Sequence, residues 1–537
     1  METIFRDKNG KPIYVLGLQA QNDANGCWEM IDESISAVKQ FNGNTLEVPV
    51  CWYAIEPEEG KFDLSSVEEL ILRVRQSGLH LIILWFGSIK NCDITYMPEW
   101  AKKDTRRFKL LVGPDGMVEP IVSPHCPETF EADRKAFAEV MKCIKRVDEE
   151  HRTVIAVQVE NECGLYPLDR CYSKKAQADF DLGVPPELDG VVIEDSEATG
   201  QGNGWIDRFG IHANEAFSAW HIAKNVNYIA SAGKEIYPSM PLFTNTAIGE
   251  IRQEIGGQSY ACGGPVGRML EIWKRGAPHI DVNGVDNYHP CKKNYERICK
   301  TYSQHNNMLF LPETGTRGDS FAINHIMAAA DYNAIGICGF GATSIMGSDG
   351  KLDSEAMKVA DTMKIIRMMG PVLLKHGGTD KIFSITQEEY EQHRYVKREK
   401  YHVFFQFTTV TGKGHAMGNN MRVHGQVVDD PQVFSKRARA IVYEANPHEF
   451  FIAGVGFTAK FTRRAEPNDP YPRRMYFTRA ATELAALTVE EGHFTEDGEW
   501  VCEFQRRGDE VDCGAFVYPG IVLRVKLNPN VCDQIDW

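Results

Sequence analysis

The run Leu79-His80-Leu81-Ile82-Ile83-Leu84-Trp85-Phe86 carries a single polar side chain, and it restricts the fold more than any other stretch. A strand apolar on both faces must be covered on both faces, as a parallel strand lying between helices is. Its surroundings repeat the arrangement. Val15-Leu16-Gly17-Leu18 reads as a buried strand, and Trp28, Ile31, Ile35 and Val38 then fall on one helical face. Further strand-like runs cover Leu46 to Trp52, Thr153 to Val159, Pro241 to Thr244, Ile280 to Val285, Met308 to Leu311 and Ala334 to Phe340. Eight strands separated by helical stretches predict an α/β fold, a (β/α)8 TIM barrel with long loop insertions. A doubly wound open sheet usually carries a Gly-rich phosphate turn after its first strand; here that turn reads Gln19-Ala20-Gln21-Asn22-Asp23.

After the helix predicted from Ser354 to Met369, Gly370-Pro371 interrupts the pattern and the period changes. Val403, Phe405 and Phe407 alternate with His402, Phe404 and Gln406, and turn clusters such as Asn468-Asp469-Pro470 and Glu496-Asp497-Gly498 follow. Alternation of period two with such turns predicts an antiparallel β-sandwich. The expected division is a catalytic barrel over 1–375 and a β-sandwich domain over 376–537.

Lysine and arginine number 59 against 74 acidic residues, a net charge of −15, which argues against nucleic-acid or anionic-membrane partners. No basic-then-apolar leader is read at the N-terminus, so the expected location is cytoplasmic. The 14 cysteines form no C-x-x-C pair, and the 16 histidines show no metal-ligand spacing. No metal and no cofactor are expected.

Chemistry in a barrel belongs at the C-terminal ends of the strands. Two apolar runs end there in carboxylates: Val157-Gln158-Val159-Glu160-Asn161-Glu162 and Phe310-Leu311-Pro312-Glu313. As strands four and seven, they place Glu162 and Glu313 across the mouth from one another. Glycoside hydrolysis needs such a pair, one carboxylic acid to protonate the leaving oxygen and one carboxylate facing the anomeric carbon. Asn161 is placed to bond a sugar 2-hydroxyl.

These residues resemble clan-A glycoside hydrolases, specifically family 35 and 42 β-galactosidases. The stretches that carry the likeness include Pro49-Val50-Cys51-Trp52-Tyr53, Leu84-Trp85-Phe86-Gly87-Ser88-Ile89-Lys90-Asn91, Tyr96-Met97-Pro98-Glu99-Trp100, Glu160-Asn161-Glu162, Asp286-Asn287-Tyr288, Pro312-Glu313 and, near the end, Gly508-Asp509-Glu510. The resemblance implies that Glu162 is the acid/base and Glu313 the nucleophile of a retaining, exo-acting enzyme working through a covalent glycosyl-enzyme. It implies further that the Tyr288 hydroxyl bonds the nucleophile, and that the chain forms a homo-oligomer. Ile89 replaces a tryptophan of the family pattern, and the end of strand eight lacks another, which leaves the sugar open.

The expected activity is therefore β-galactoside hydrolysis, with a β-glucoside-specific hydrolase or a transglycosylase as the alternative. A non-catalytic carbohydrate-binding barrel is disfavoured because both glutamates are present. Trp85 either floors the sugar subsite or packs under a loop. Gln19 and Asn245, each at a strand end, either bond sugar hydroxyls or hold loops. The acidic, Gly-rich insertion from Ala176 to Gly204 reads as a lid, an aglycone wall or a solvated loop.

Overall fold

The structure, a computed structural model, describes residues 2–529 except 195, 200–201, 248–254, 390, 399–400, 408–421, 424–425, 428–436, 464–485, 508–514 and 518–519. The turn at Asn468-Asp469-Pro470 and the Gly508–Glu510 stretch lie outside these residues.

The chain forms two compact units. One comprises Thr3–Thr316 with Ala334–Leu352, the other Arg317–Asn333 with Asp353–Trp537. In the first unit, strands β1 (Val15–Gln19), β2 (Thr45–Cys51), β3 (His80–Lys90), β4 (Val154–Asn161), β5 (Leu242–Thr244), β6 (Val282–Asn283), β7 (Phe310–Leu311) and β8 (Gly336–Phe340) make one parallel sheet. Its order is β6-β5-β4-β3-β2-β1-β8-β7. The two ends meet through a parallel bridge between Asn287 and Thr314 and a hydrogen bond from Val285 N to Phe310 O at 3.1 Å. The sheet is thereby a barrel, as the both-faced apolar strands predict. From Leu81 to Phe86 every β3 residue is fully buried.

Helices α1 (Trp28–Gln40), α2 (Ser65–Ser77), α3 (Pro127–Asp148), α4 (Lys174–Asp181), α5 (Ala213–Ile236), α6 (Leu270–Gly276) and α7 (Lys292–Tyr302) connect the strands. On α1, Ile31, Ile35 and Val38 are the buried face, the stripe read from their spacing. Among the described residues no helix is long and apolar enough to cross a membrane.

The second unit contains α8 (Gly318–Ala330) and α9 (Ser354–His376) with two larger antiparallel sheets and, among the described residues, a short pairing of Arg422–Val423 with Gln426–Val427. Six strands lie in the order β9 (Ile382–Thr386), β12 (Arg439–Asn446), β13 (Glu449–Val455), β18 (Val522–Leu527), β15 (Ala486–Phe494), β16 (Trp500–Gln505). Four more follow β10 (His393–Lys397), β11 (Tyr401–Phe407), β14 (Phe457–Arg463), β17 (Ala515–Phe516). Val403, Phe405 and Phe461 from one sheet share a core with Val442, Ile452 and Leu523 from the other, which is the packing of a sandwich.

This division differs from a break at 375 by two helices. Both are tied to the sandwich by polar groups as well as by packing. The buried Arg439 guanidinium donates to Thr362 Oγ1 at 2.6 Å and Lys358 O at 2.7 Å on α9, and Asp331 accepts from Ser384 N and Oγ. Pro371 does not end α9 as expected; the helix runs through it to His376. A proline there costs one backbone bond, and buried Val372 and Leu373 continue the apolar face beyond it.

Candidate active site

At the end of β4 the backbone leaves the β region twice, with φ +60° at Glu160 and +44° at Glu162. Left-handed backbone at two non-glycine residues is costly and persists only where surrounding bonds enforce it. Both residues are held. The Glu160 carboxyl group accepts from Ser88 N, Ser88 Oγ and Ile89 N at 2.8–3.1 Å, and Glu162 N donates to Asn245 Oδ1 at 3.0 Å. The chain is thus bent at the strand's mouth, and Glu162 follows the bend.

Glu313 is set from the opposite side. Asn287 N donates to Glu313 O at 3.0 Å. The preceding Pro312 lies against Gly284, where an added Cβ would stand 2.8 Å from Pro312 Cγ. A side chain at 284 would therefore push on the residue next to Glu313.

Carboxylate oxygens of Glu162, Glu313 and a third acid, Asp286, lie within 4.8 Å of one another. Asp286 and Glu313 are buried, whereas Glu162 is half-exposed. Burial, then the charge of Glu162, pushes the Glu313 carboxyl up to about 7, opposed by Lys90, the Tyr288 hydroxyl and the Gln19 amide. Asp286 is raised well above the usual carboxylate range by burial, then by Glu313 and Glu162, with which it shares a hydrogen bond. Three acids this close hold fewer than three charges near neutrality.

Of the residues singled out in the sequence, Glu162, Glu313, Tyr288, Gln19, Asn161 and Asn245 come together here. The Tyr288 hydroxyl donates to Glu313 Oε2 at 2.8 Å. Gln19 stands beside the same carboxyl. Asn245 is fully buried and bridges the acids, accepting from Glu162 N and donating to Asp286 Oδ2 at 2.7 Å. The Asn161 amide, also fully buried, meets those of Asn91, Gln158 and Asn245 at 2.9, 3.0 and 3.3 Å.

Trp85 is not among them. Its indole N–H donates to Asp133 Oδ1 at 2.8 Å and its ring lies 5.9 Å from that of Phe137, both on α3. The indole therefore packs on the helix side of β3, away from the barrel mouth. Glu160, Asp286 and Lys90 were not singled out. Asp286 does lie two residues before Tyr288 in a stretch that carries the family likeness, and Lys90 in another.

Beside Glu162 a cavity of about 420 Å³ opens, lined by Asn91, Glu119, Ile121, Tyr166 and Ala247. Glu119 and Ile121 come from the hairpin that follows β3, and Tyr166 from the insertion that follows β4. The insertion read from Ala176 onward begins within α4, so its first turns are ordered helix.

A parallel eight-stranded barrel with a carboxyl pair converging at its mouth is a framework that glycoside hydrolases use. The profile of the family described as "Beta-galactosidase" matches residues 24–187, and one described as "Domain of unknown function (DUF5597)" matches residues 359–518. No curated relative matches the chain. Among solved structures, the chain is similar to a β-galactosidase from Bacillus circulans sp. alkalophilus, at 13% identity and TM-score 0.50, over 69% of this chain and 58% of that one. A cold-adapted β-galactosidase from Rahnella sp. R3 (15%, 0.49) is matched over 69% and 58% of the two chains. The catalytic domain of a β-amylase from Paenibacillus polymyxa (12%, 0.49) is matched over 66% and 98%. The chain thus spans about 58% of the length of these two β-galactosidases. At such identities the likeness is one of fold.

Proposed function

We propose that the chain is a retaining, exo-acting β-glycosidase whose substrate is a terminal β-galactoside, with Glu313 as nucleophile and Glu162 as acid/base. The observation that carries this reading is the approach of the Glu162 and Glu313 carboxylate oxygens to within 4.8 Å. Retaining enzymes keep their carboxyls about 5–5.5 Å apart, whereas inverting ones leave about 6.5–9.5 Å for a water. The catalytic domain is read as residues 1–375, which hold all eight barrel strands.

In the first step a Glu313 oxygen attacks the anomeric carbon as the bond to the leaving oxygen breaks, and Glu162 gives that oxygen its proton. In the second, Glu162 takes a proton from water, the water oxygen bonds the anomeric carbon, and Glu313 departs as carboxylate. Burial works against the carboxylate that Glu313 must be in the first step, and Lys90, the Tyr288 hydroxyl and the Gln19 amide oppose that effect. The sugar to be cleaved sits over Glu313, while the leaving group extends along Glu162 into the cavity lined by Asn91, Glu119 and Tyr166.

The test is a comparison of aryl β-galactosides, β-glucosides and β-fucosides, with Glu313→Gly as control. Wild type is expected to prefer the galactoside. Glu313→Gly is expected to be inactive until azide is added, and then to yield the α-glycosyl azide. Turnover by Glu313→Gly without azide, or formation of the β-azide instead, overturns the nucleophile assignment. Preference for the glucoside overturns the sugar.

A further inference from the structure

We propose that His125, Asp179 and His221 form a divalent-metal site of zinc type, separate from the carboxyl trio. Three segments distant in sequence supply the ligands. His125 lies just before α3, Asp179 on α4 in the insertion that follows Glu162, and His221 on α5. One ligand atom from each lies within 4.8 Å of the others. Because the spacing is 54 and 42 residues, the sequence shows no ligand motif.

The donor set suits zinc. Two imidazoles and one carboxylate leave a fourth tetrahedral position for water, whereas Mg²⁺ and Ca²⁺ prefer all-oxygen sites. The His125 and His221 ring centroids are 4.4 Å apart, and His125 Nδ1 meets Asp179 Oδ2 at 2.8 Å. Lys175 takes the other Asp179 oxygen at 2.5 Å, which leaves Oδ2 to the cluster. The His221 ring is half-buried and offers a nitrogen to the other two ligands.

Phe217 fixes both rings, stacking on His125 at 5.3 Å and meeting His221 edge-on at 4.6 Å. A bound ion would join α4, in the insertion beside the acid/base, to α3 and α5.

The test is a Zn²⁺ titration of the chelator-treated full chain against a chromophoric competitor, with melting followed in parallel. One equivalent is expected to bind and to raise Tm, with Mg²⁺ doing neither. His221→Ala and Asp179→Asn are each expected to weaken binding by more than about 100-fold, beyond the 10–100-fold that outer-shell changes cost. Glu313→Gln is expected to bind zinc as wild type does, which separates this cluster from the carboxyl trio. Absence of binding by wild type, or undiminished binding by Asp179→Asn, which changes a part-exposed residue and should fold, overturns the site. So does loss of the equivalent in Glu313→Gln.

Discussion

The Tyr288 hydroxyl donates to Glu313 Oε2 at 2.8 Å, so the proposed nucleophile carries one hydrogen bond from an aromatic side chain at the end of β6. That bond steadies the charged carboxylate and fixes which oxygen is free to attack. Tyr288→Phe keeps the ring and deletes the donor. Its kcat is expected to fall about 10²–10³-fold, the usual cost of one preorganised donor. Steady-state kinetics on an aryl glycoside check this, and a fall below threefold would refute the role.

The charge on Glu313 also sets a pH limb. Its carboxyl is pushed up to about 7, and only the carboxylate attacks carbon. The kcat/KM profile of wild type should therefore lose activity tenfold per pH unit on the acid side of about 7. Since the Tyr288 bond holds that carboxyl down, Tyr288→Phe should move the limb to higher pH. A limb near 4.5, the ordinary value, would contradict the electrostatics of the trio.

Stability should show the same group with the opposite benefit. A carboxyl whose folded-state pKa is raised contributes stability that is complete below about 4.5 and lost as pH rises through about 7. Glu313→Gln removes that loss. The variant should gain on wild type across this window, by up to about 3 kcal/mol above pH 7 at 1.36 kcal/mol per pKa unit. Thermal unfolding at pH 5 and pH 8 measures it, and an equal difference at the two values would defeat the prediction.

What the sequence disclosed, and what it withheld, follows from physical cause. The barrel was legible because β3 and its neighbours are apolar on both faces, a pattern that few folds accommodate. Glu162 and Glu313 were legible because each interrupts the end of such a run. Trp85 was unreadable for the same reason that β3 was readable. With Leu84 and Phe86 also apolar, no alternation says which face the indole takes. The Tyr288 contact came from family likeness, since a tyrosine at a strand end has no signature of its own. Asp286 and Lys90 are single charges that acquire meaning only when β3, β6 and β7 converge. The two left-handed residues flanking Asn161 could not be foreseen, because neither is glycine.

Asp286 offers a test of how the proposed acid/base, Glu162, is held. It accepts from Asn245 Nδ2 at 2.7 Å, and Asn245 in turn accepts from Glu162 N. As a neutral acid, Asp286 is a donor to Glu162. Asp286→Asn keeps both an acceptor and a donor, whereas Asp286→Ala leaves the Asn245 amide without its acceptor in a buried place. The alanine variant is expected to lose about 10²-fold in kcat on substrates with poor leaving groups, which depend most on acid catalysis, with the asparagine variant losing less than tenfold. Equal losses in both variants would mean that the carboxyl itself, not the hydrogen-bond chain, is required.

Glu160 supports the same region from beneath. Its carboxyl is fully buried, accepts from Ser88 and Ile89, and is raised well above the usual range by burial, then by the charge of Asp133. Asp133 itself accepts from Trp85 Nε1 and Ser88 N, so the end of β3 is fastened to β4 and α3 by two acids. With Glu160 held neutral, a glutamine reproduces its charge and most of its shape. Glu160→Ala instead leaves Ile89 N without an acceptor and releases the left-handed turn into Asn161 and Glu162. It is expected to destabilise the fold by about 2–4 kcal/mol, with Glu160→Gln costing about half of that or less. Because the turn carries Glu162, kcat at a temperature where both variants are folded should fall in the same order. Urea unfolding beside steady-state kinetics tests both parts. An alanine variant as stable and as active as wild type would show that the bend at the end of β4 does not depend on this carboxyl.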